Sequence, residues 1–267
     1  MSGNSYLNTS DEKPLDQILE NGGATAIFRS IVCIGDSLSS GEFQIPESDD
    51  KYSYHDFYEY SWGQFIARMT GSRVYNFSKG GMTARWYCTE FADENGLWDK
   101  EKAAQCYIIA LGVNDVTSII ENRCEFGTAA DINKDYHENK KTFVGYYAAI
   151  ISRYKEISPY AKFFLVTCPK DDKTREELYE THRKLLYDIS EIFDNTYVID
   201  LRQYAPEYDD NFKEIYYLYG HMAPLGYYYT AKIISSYIDY IIRKNPKDFK
   251  TVGLINTELQ DKIKDIC

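Results

Sequence analysis

The stretch Ile31-Val32-Cys33-Ile34-Gly35-Asp36-Ser37-Leu38-Ser39 changes abruptly from apolar residues to small polar ones. A short apolar run without alternation, rich in β-branched residues, marks a strand covered on both faces, as parallel sheets are. Gly-Asp-Ser is turn chemistry, and the residues after it can open a helix. The run containing it spans 27–34, and similar runs recur at 73–77, 105–111, 161–167 and 196–201. Segments with helical spacing lie between and after them, at 60–69, 142–157, 174–193 and 225–243. Strand and helix alternate, so the expected fold is a three-layer α/β/α sandwich with a mostly parallel sheet. No repeat, low-complexity tract or proline-rich linker divides it. The expectation is one domain over 25–245, with a polar arm at 1–24 and a tail at 246–267.

The composition narrows the function. Lys+Arg 30 against Asp+Glu 41 gives a net charge of −11, which repels phosphate backbones and anionic headgroups. Nucleic acid and membrane insertion are therefore not expected, and no apolar run approaches the roughly 18 residues of a bilayer span. The polar, acidic start, residues 1–17, lacks the basic beginning and apolar stretch of a secretory signal, so a cytoplasmic location is expected. The cysteines show no zinc-type spacing, and Cys33, Cys106 and Cys168 sit in apolar runs as small hydrophobes. The 26 tyrosines suit half-wet surfaces between layers, where the ring is buried and the hydroxyl finds a partner.

In an open α/β sheet, ligands bind beyond the carboxyl ends of the strands. With the strand order 2-1-3-4-5, strands two and three flank strand one, and three loops share one crevice. Ser37 follows strand one and is the candidate nucleophile, although Asp-Ser is also an ordinary helix cap. Gly81, in Lys79-Gly80-Gly81-Met82-Thr83, and Asn114, in Gly112-Val113-Asn114-Asp115, can donate to an oxyanion. Of the four histidines, His221 precedes the last helix and is the best-placed general base. His182 is expected on a solvated helix face, and His55 and His137 in surface loops.

These four blocks, in this order, resemble those of the SGNH, or GDSL-type, hydrolases. Trp62, and Gly226-Tyr227 followed by Ala231, resemble the family's surroundings of its second and last blocks. The resemblance implies a flavodoxin-like sandwich and ester hydrolysis through an acyl-enzyme, with no organic cofactor and no metal. Carried over, Ser37 is the nucleophile and His221 the base, while the Ser37 N–H, Gly81 and Asn114 form the oxyanion hole. The expected partner is a small, soluble ester, acetylated carbohydrates among the candidates. The family places an aspartate three residues before the histidine, and Leu218 stands there. Either a backbone carbonyl or a distant acid (Asp200, Glu207, Asp209, Asp210 or Glu214) then orients His221, or the site works as a dyad.

Three other readings compete. A binding protein that keeps the crevice with impaired catalysis is favoured by Leu218. A two-metal phosphoesterase would need more His and carboxylate ligands than the strand-one loop offers. A nucleotide-binding domain would need a P-loop lysine or a Gly-x-Gly-x-x-Gly run.

Overall fold

The computed structural model describes residues 11–48, 51–171 and 173–265. In chain order the strands are β1 (Ser30–Gly35), β2 (Glu42–Ser48), β3 (Lys51–Asp56), β4 (Arg73–Asn76), β5 (Cys106–Ala110), β6 (Lys162–Val166), β7 (Thr196–Ile199), β8 (Tyr217–Leu218) and β9 (His221–Met222). The central sheet runs β4-β1-β5-β6-β7, parallel at every pairing. Counted among themselves these five have the order 2-1-3-4-5, as expected. The other four form two antiparallel hairpins, β2–β3 and β8–β9. Apolar runs do not foretell them: β3 has no buried residue, and β2 contains Pro46.

Successive side chains of a strand point to opposite faces, and each face has its own core. Ile31 and Cys33 of β1 pack with Trp62, Ile66 and Tyr227 under the helices Trp62–Thr70 and Pro224–Lys244. Val32 and Ile34 pack with Tyr147, Ile151 and Leu186 under the helices Phe143–Ile157 and Glu176–Ile192. The result is a three-layer α/β/α sandwich. Local chemistry sets the helix ends: Ser61 caps one helix by accepting the Gln64 N–H, Thr142 caps another through Gly145, and Pro224 opens the last. Tyrosines fill the space between layers with their hydroxyls paired. Tyr147 donates to the Ile109 carbonyl, and the Tyr87 and Tyr154 hydroxyls lie 2.6 Å apart.

Residues outside 25–245 pack onto this unit as well. Glu12 pairs with Arg243, and the Leu19 N–H donates to Ser236 Oγ. Phe249, Val252 and Ile255 are buried in the core, and Gln105 Nε2 donates to the Val252 carbonyl. Among the described residues, no helix is long and apolar enough to cross a membrane.

Candidate active site

Ser37 is the first residue of the short helix Ser37–Ser40 at the carboxyl end of β1. Asp36 caps that helix, its Oδ1 accepting the Leu38 N–H at 3.0 Å. Burial pushes the Asp36 carboxyl up to about 6. Asp36 thus fills the structural role open to the Asp-Ser pair, and the half-buried Ser37 remains at the crevice. Gly41 then reverses the chain at φ +84°, with Phe57 O only 2.5 Å from where a β-carbon would stand. Only glycine fits both conditions, and its turn sends the chain directly into β2.

The loop after β4 is tied to this helix: the Lys79 N–H donates to Gly35 O, and Asn76 Nδ2 to Ser40 O. Gly81 lies at φ +76° in the turn closed by Met82 N–H on Lys79 O, and it is exposed. Asn114, at the start of the helix Val113–Ile120, reaches across both neighbouring loops. Its Nδ2 donates to Met82 O at 3.3 Å and to Asp36 Oδ2 at 3.4 Å. The next residue, Asp115, accepts the Ala84 N–H at 2.9 Å and is buried, which pushes its carboxyl up to about 7. The N–H groups of Ser37 and Gly81 have no protein acceptor among the described residues. These amides and Asn114 Nδ2 belong to the three adjacent strand ends, β4, β1 and β5.

His221 lies on β9, opposite Leu218 of β8, and this hairpin touches both β2 and the Ser37 helix. Its Nδ1 is 3.3 Å from Gln44 Oε1, and its Nε2 is 3.2 Å from Glu42 Oε1. Gln44 Oε1 also accepts the Gly220 N–H at 2.9 Å, which fixes the amide with its oxygen towards the ring. Of the acids considered from sequence, Asp200 binds Arg183, Tyr187 and the Gln203 N–H, and Asp209 caps the helix Asp210–Tyr216. Sequence reasoning missed both Glu42 and Gln44. Their signal, two polar residues alternating with Phe43 and Ile45 just after the Ser37 loop, indicates a strand but no partner.

The remaining histidines divide. His55 lies exposed on β3, and His137 is exposed beside Asp135. The solvated face expected for His182 is a correction. The ring is wholly buried, with Nε2 3.0 Å from the Leu111 carbonyl, and burial depresses it to about 4. Among the described residues no three His, Cys, Asp or Glu side chains gather as metal ligands.

A family model for GDSL-like lipases and acylhydrolases matches residues 31–234. The chain belongs to that family. A comparison with curated proteins finds no match. Among solved structures, this GDSL-family chain is similar to a family two carbohydrate esterase from Clostridium thermocellum in complex with cellohexaose. The two share 19% identity and a TM-score of 0.55, over 89% of this chain and 66% of that one. A Corynascus thermopiles carbohydrate esterase family 2 enzyme with its carbohydrate-binding domain gives 14% identity and a TM-score of 0.55, over 79% and 66% of the two chains. A G-D-S-L family protein from Desulfitobacterium hafniense DCB-2 gives 16% and 0.50, over 78% and 99%. The GDSL chain thus spans about two thirds of the two carbohydrate esterases. At these identities the likeness establishes the shared fold.

Proposed function

We propose that this GDSL-family protein is a serine-type ester hydrolase. The observation that carries this reading is the meeting of Ser37, Gly81 and Asn114 at three adjacent strand ends, with His221 on a hairpin against the Ser37 helix. Ser37 Oγ attacks the acyl carbon while its proton passes to His221 Nε2. The carbonyl oxygen gains charge as the carbon becomes tetrahedral, and the Ser37 and Gly81 amides with Asn114 Nδ2 receive it. Gln44 can accept from Nδ1–H, and in that tautomer Nε2 can take the serine proton. Collapse expels the alcohol, which takes the proton from His221, and water then releases the acyl group by the same steps.

The substrate in this reading is a small ester of a sugar hydroxyl, with an acetyl group as the acyl part. The leaving alcohol lies on the His221 side, since that ring protonates it. There the two hairpins present Tyr52, Tyr54 and Tyr219, each 44–56% exposed. The Tyr54 ring lies edge-on to His221 at 5.7 Å, and Tyr52 and Tyr219 are 6.1 Å apart. Exposed phenols offer a ring face and a hydroxyl together, which suits a carbohydrate better than an alkyl chain. The carbohydrate esterases among the structural neighbours point the same way. A mostly apolar cavity of about 60 Å³ lies behind Asp36 and Leu38, bounded by Trp62, Cys168 and Met222.

Initial rates on p-nitrophenyl esters of graded length, measured beside acetylated mono- and oligosaccharides, test this. The reading predicts a steep fall beyond short acyl chains, and acetate release from the sugars. Tyr54→Ala should raise KM for the acetylated sugars with less effect on p-nitrophenyl acetate. A preference for long acyl chains contradicts the substrate assignment. The second reading, a binding protein with impaired hydrolysis, is favoured by Leu218 in the usual aspartate position. It predicts sugar binding by the wild type without turnover of any ester.

A further inference from the structure

His221 has an acceptor at both ring nitrogens. Gln44 presents its carbonyl oxygen to Nδ1, held in that orientation by the Gly220 N–H, and Glu42 presents a carboxylate oxygen to Nε2. A neutral imidazole has one N–H and can satisfy only one of them, whereas the imidazolium satisfies both. The pocket is therefore complementary to the charged ring, the form that arises when His221 holds the serine proton.

Glu42 is also confined there. It is the first residue of β2, directly after the Gly41 turn, and is only 8% exposed. Its own carbonyl accepts the Tyr227 hydroxyl at 2.7 Å. On its far side the other carboxylate oxygen lies 2.2 Å from where a β-carbon on Gly80 would stand, so the absence of a side chain at 80 leaves room for the acid. Glu42 thus sits between the oxyanion-hole loop and the base, linked through one glycine to the nucleophile helix.

We propose that Glu42 is the counter-charge of His221, a positioning residue that does from β2 what an acid at position 218 cannot do here. The inference rests on the ester-hydrolase reading and deepens it. In the step concerned, the Ser37 O–H bond breaks, the Oγ–acyl carbon bond forms, and the proton moves to His221 Nε2. Glu42 keeps its charge throughout and takes no proton; it lowers the energy of the charged ring. The substrate oxygen and Glu42 Oε1 share the Nε2–H, which is then delivered to the leaving alcohol.

Other charged and titratable groups also face this ring and its partner. Asp36 adds a carboxyl from the β1 loop, and the Lys79–Asp56 pair lies beyond Glu42. Tyr54 and Tyr227 present a ring and a hydroxyl. The test therefore uses Glu42→Gln, which removes the charge and keeps the size, so that these neighbours stay as background in both proteins. One arm follows kcat and KM for p-nitrophenyl acetate across pH. The proposal predicts a fall in kcat of about a hundredfold or more with little change in KM, and an acidic limb moved to lower pH. It predicts too that Glu42→Asp recovers part of both. The second arm needs no substrate: NMR titration of the His221 ring in the folded proteins, in which Glu42→Gln should move the midpoint to lower pH. An unmoved midpoint overturns the proposal whatever the activity. A moved midpoint in a wild-type protein that hydrolyses no ester would instead uphold the Glu42–His221 coupling and count against the ester-hydrolase reading.

Discussion

The Nδ1 atom of His221 faces Oε1 of Gln44 at 3.3 Å, across the junction of two hairpins rather than within one loop. A residue 177 positions earlier thus stands where it can do the orienting that the family usually assigns to an acid three residues before the histidine. The acceptor is a neutral amide. It can hold an Nδ1–H without supplying a full charge.

Gln44→Ala should accordingly lower kcat while leaving the protein folded. A hydrogen bond to a group that becomes charged contributes about 1.5–3 kcal/mol, which is about ten- to a hundredfold in rate. Steady-state kinetics with p-nitrophenyl acetate checks this, and Gln44→Glu, which keeps an acceptor in place, should recover most of the loss. Unchanged kcat in Gln44→Ala would mean that Nδ1 is held by something else.

Asn114→Ala should lower kcat by about 10²–10³ with little effect on KM, as for a donor used mainly in the transition state. The variant also removes the links to Met82 and Asp36 that tie three loops together. Its melting temperature is therefore measured alongside. An effect confined to KM would make Asn114 a ground-state contact.

Asp115 gives stability a pH dependence. Its folded carboxyl titrates near 7 because it is buried, against about 3.9 in an unfolded chain. Between those values the unfolded chain has released this proton and the folded protein still holds it, so stability falls as pH rises from about 4 to about 7 and levels off above. Asp115→Asn, uncharged at every pH, should lose this part of the slope. Denaturation curves of both proteins at pH 4.5, 6 and 7.5 measure it; parallel slopes would show that Asp115 ionises freely in the folded state.

The sheet was legible because strands covered on both faces are mostly apolar, as 27–34, 105–111 and 161–167 are. The placement of Ser37, Gly81 and Asn114 at adjacent strand ends was legible because each lies just after such a run. The hairpin β2–β3 was not. Its strands are mostly exposed, so Tyr52 and Tyr54 alternate with Ser53 and His55 without a buried face to register the pattern. Glu42 and Gln44 were missed for that reason: their partner, His221, lies on a hairpin far along the chain. His182 is a different case. Tyr179, His182, Leu186 and Ile189 share one helical face, and that spacing puts the histidine inside despite Arg183 and Lys184 beside it.

The most direct measurement is covalent labelling of the folded protein with a fluorophosphonate, followed by intact-mass spectrometry and peptide mapping. The account predicts one adduct, on Ser37, that is absent from Ser37→Ala, and a Ser37→Ala protein with unchanged folding and no measurable ester hydrolysis. An adduct on another residue, or a Ser37→Ala variant keeping a substantial share of the wild-type rate, would contradict it.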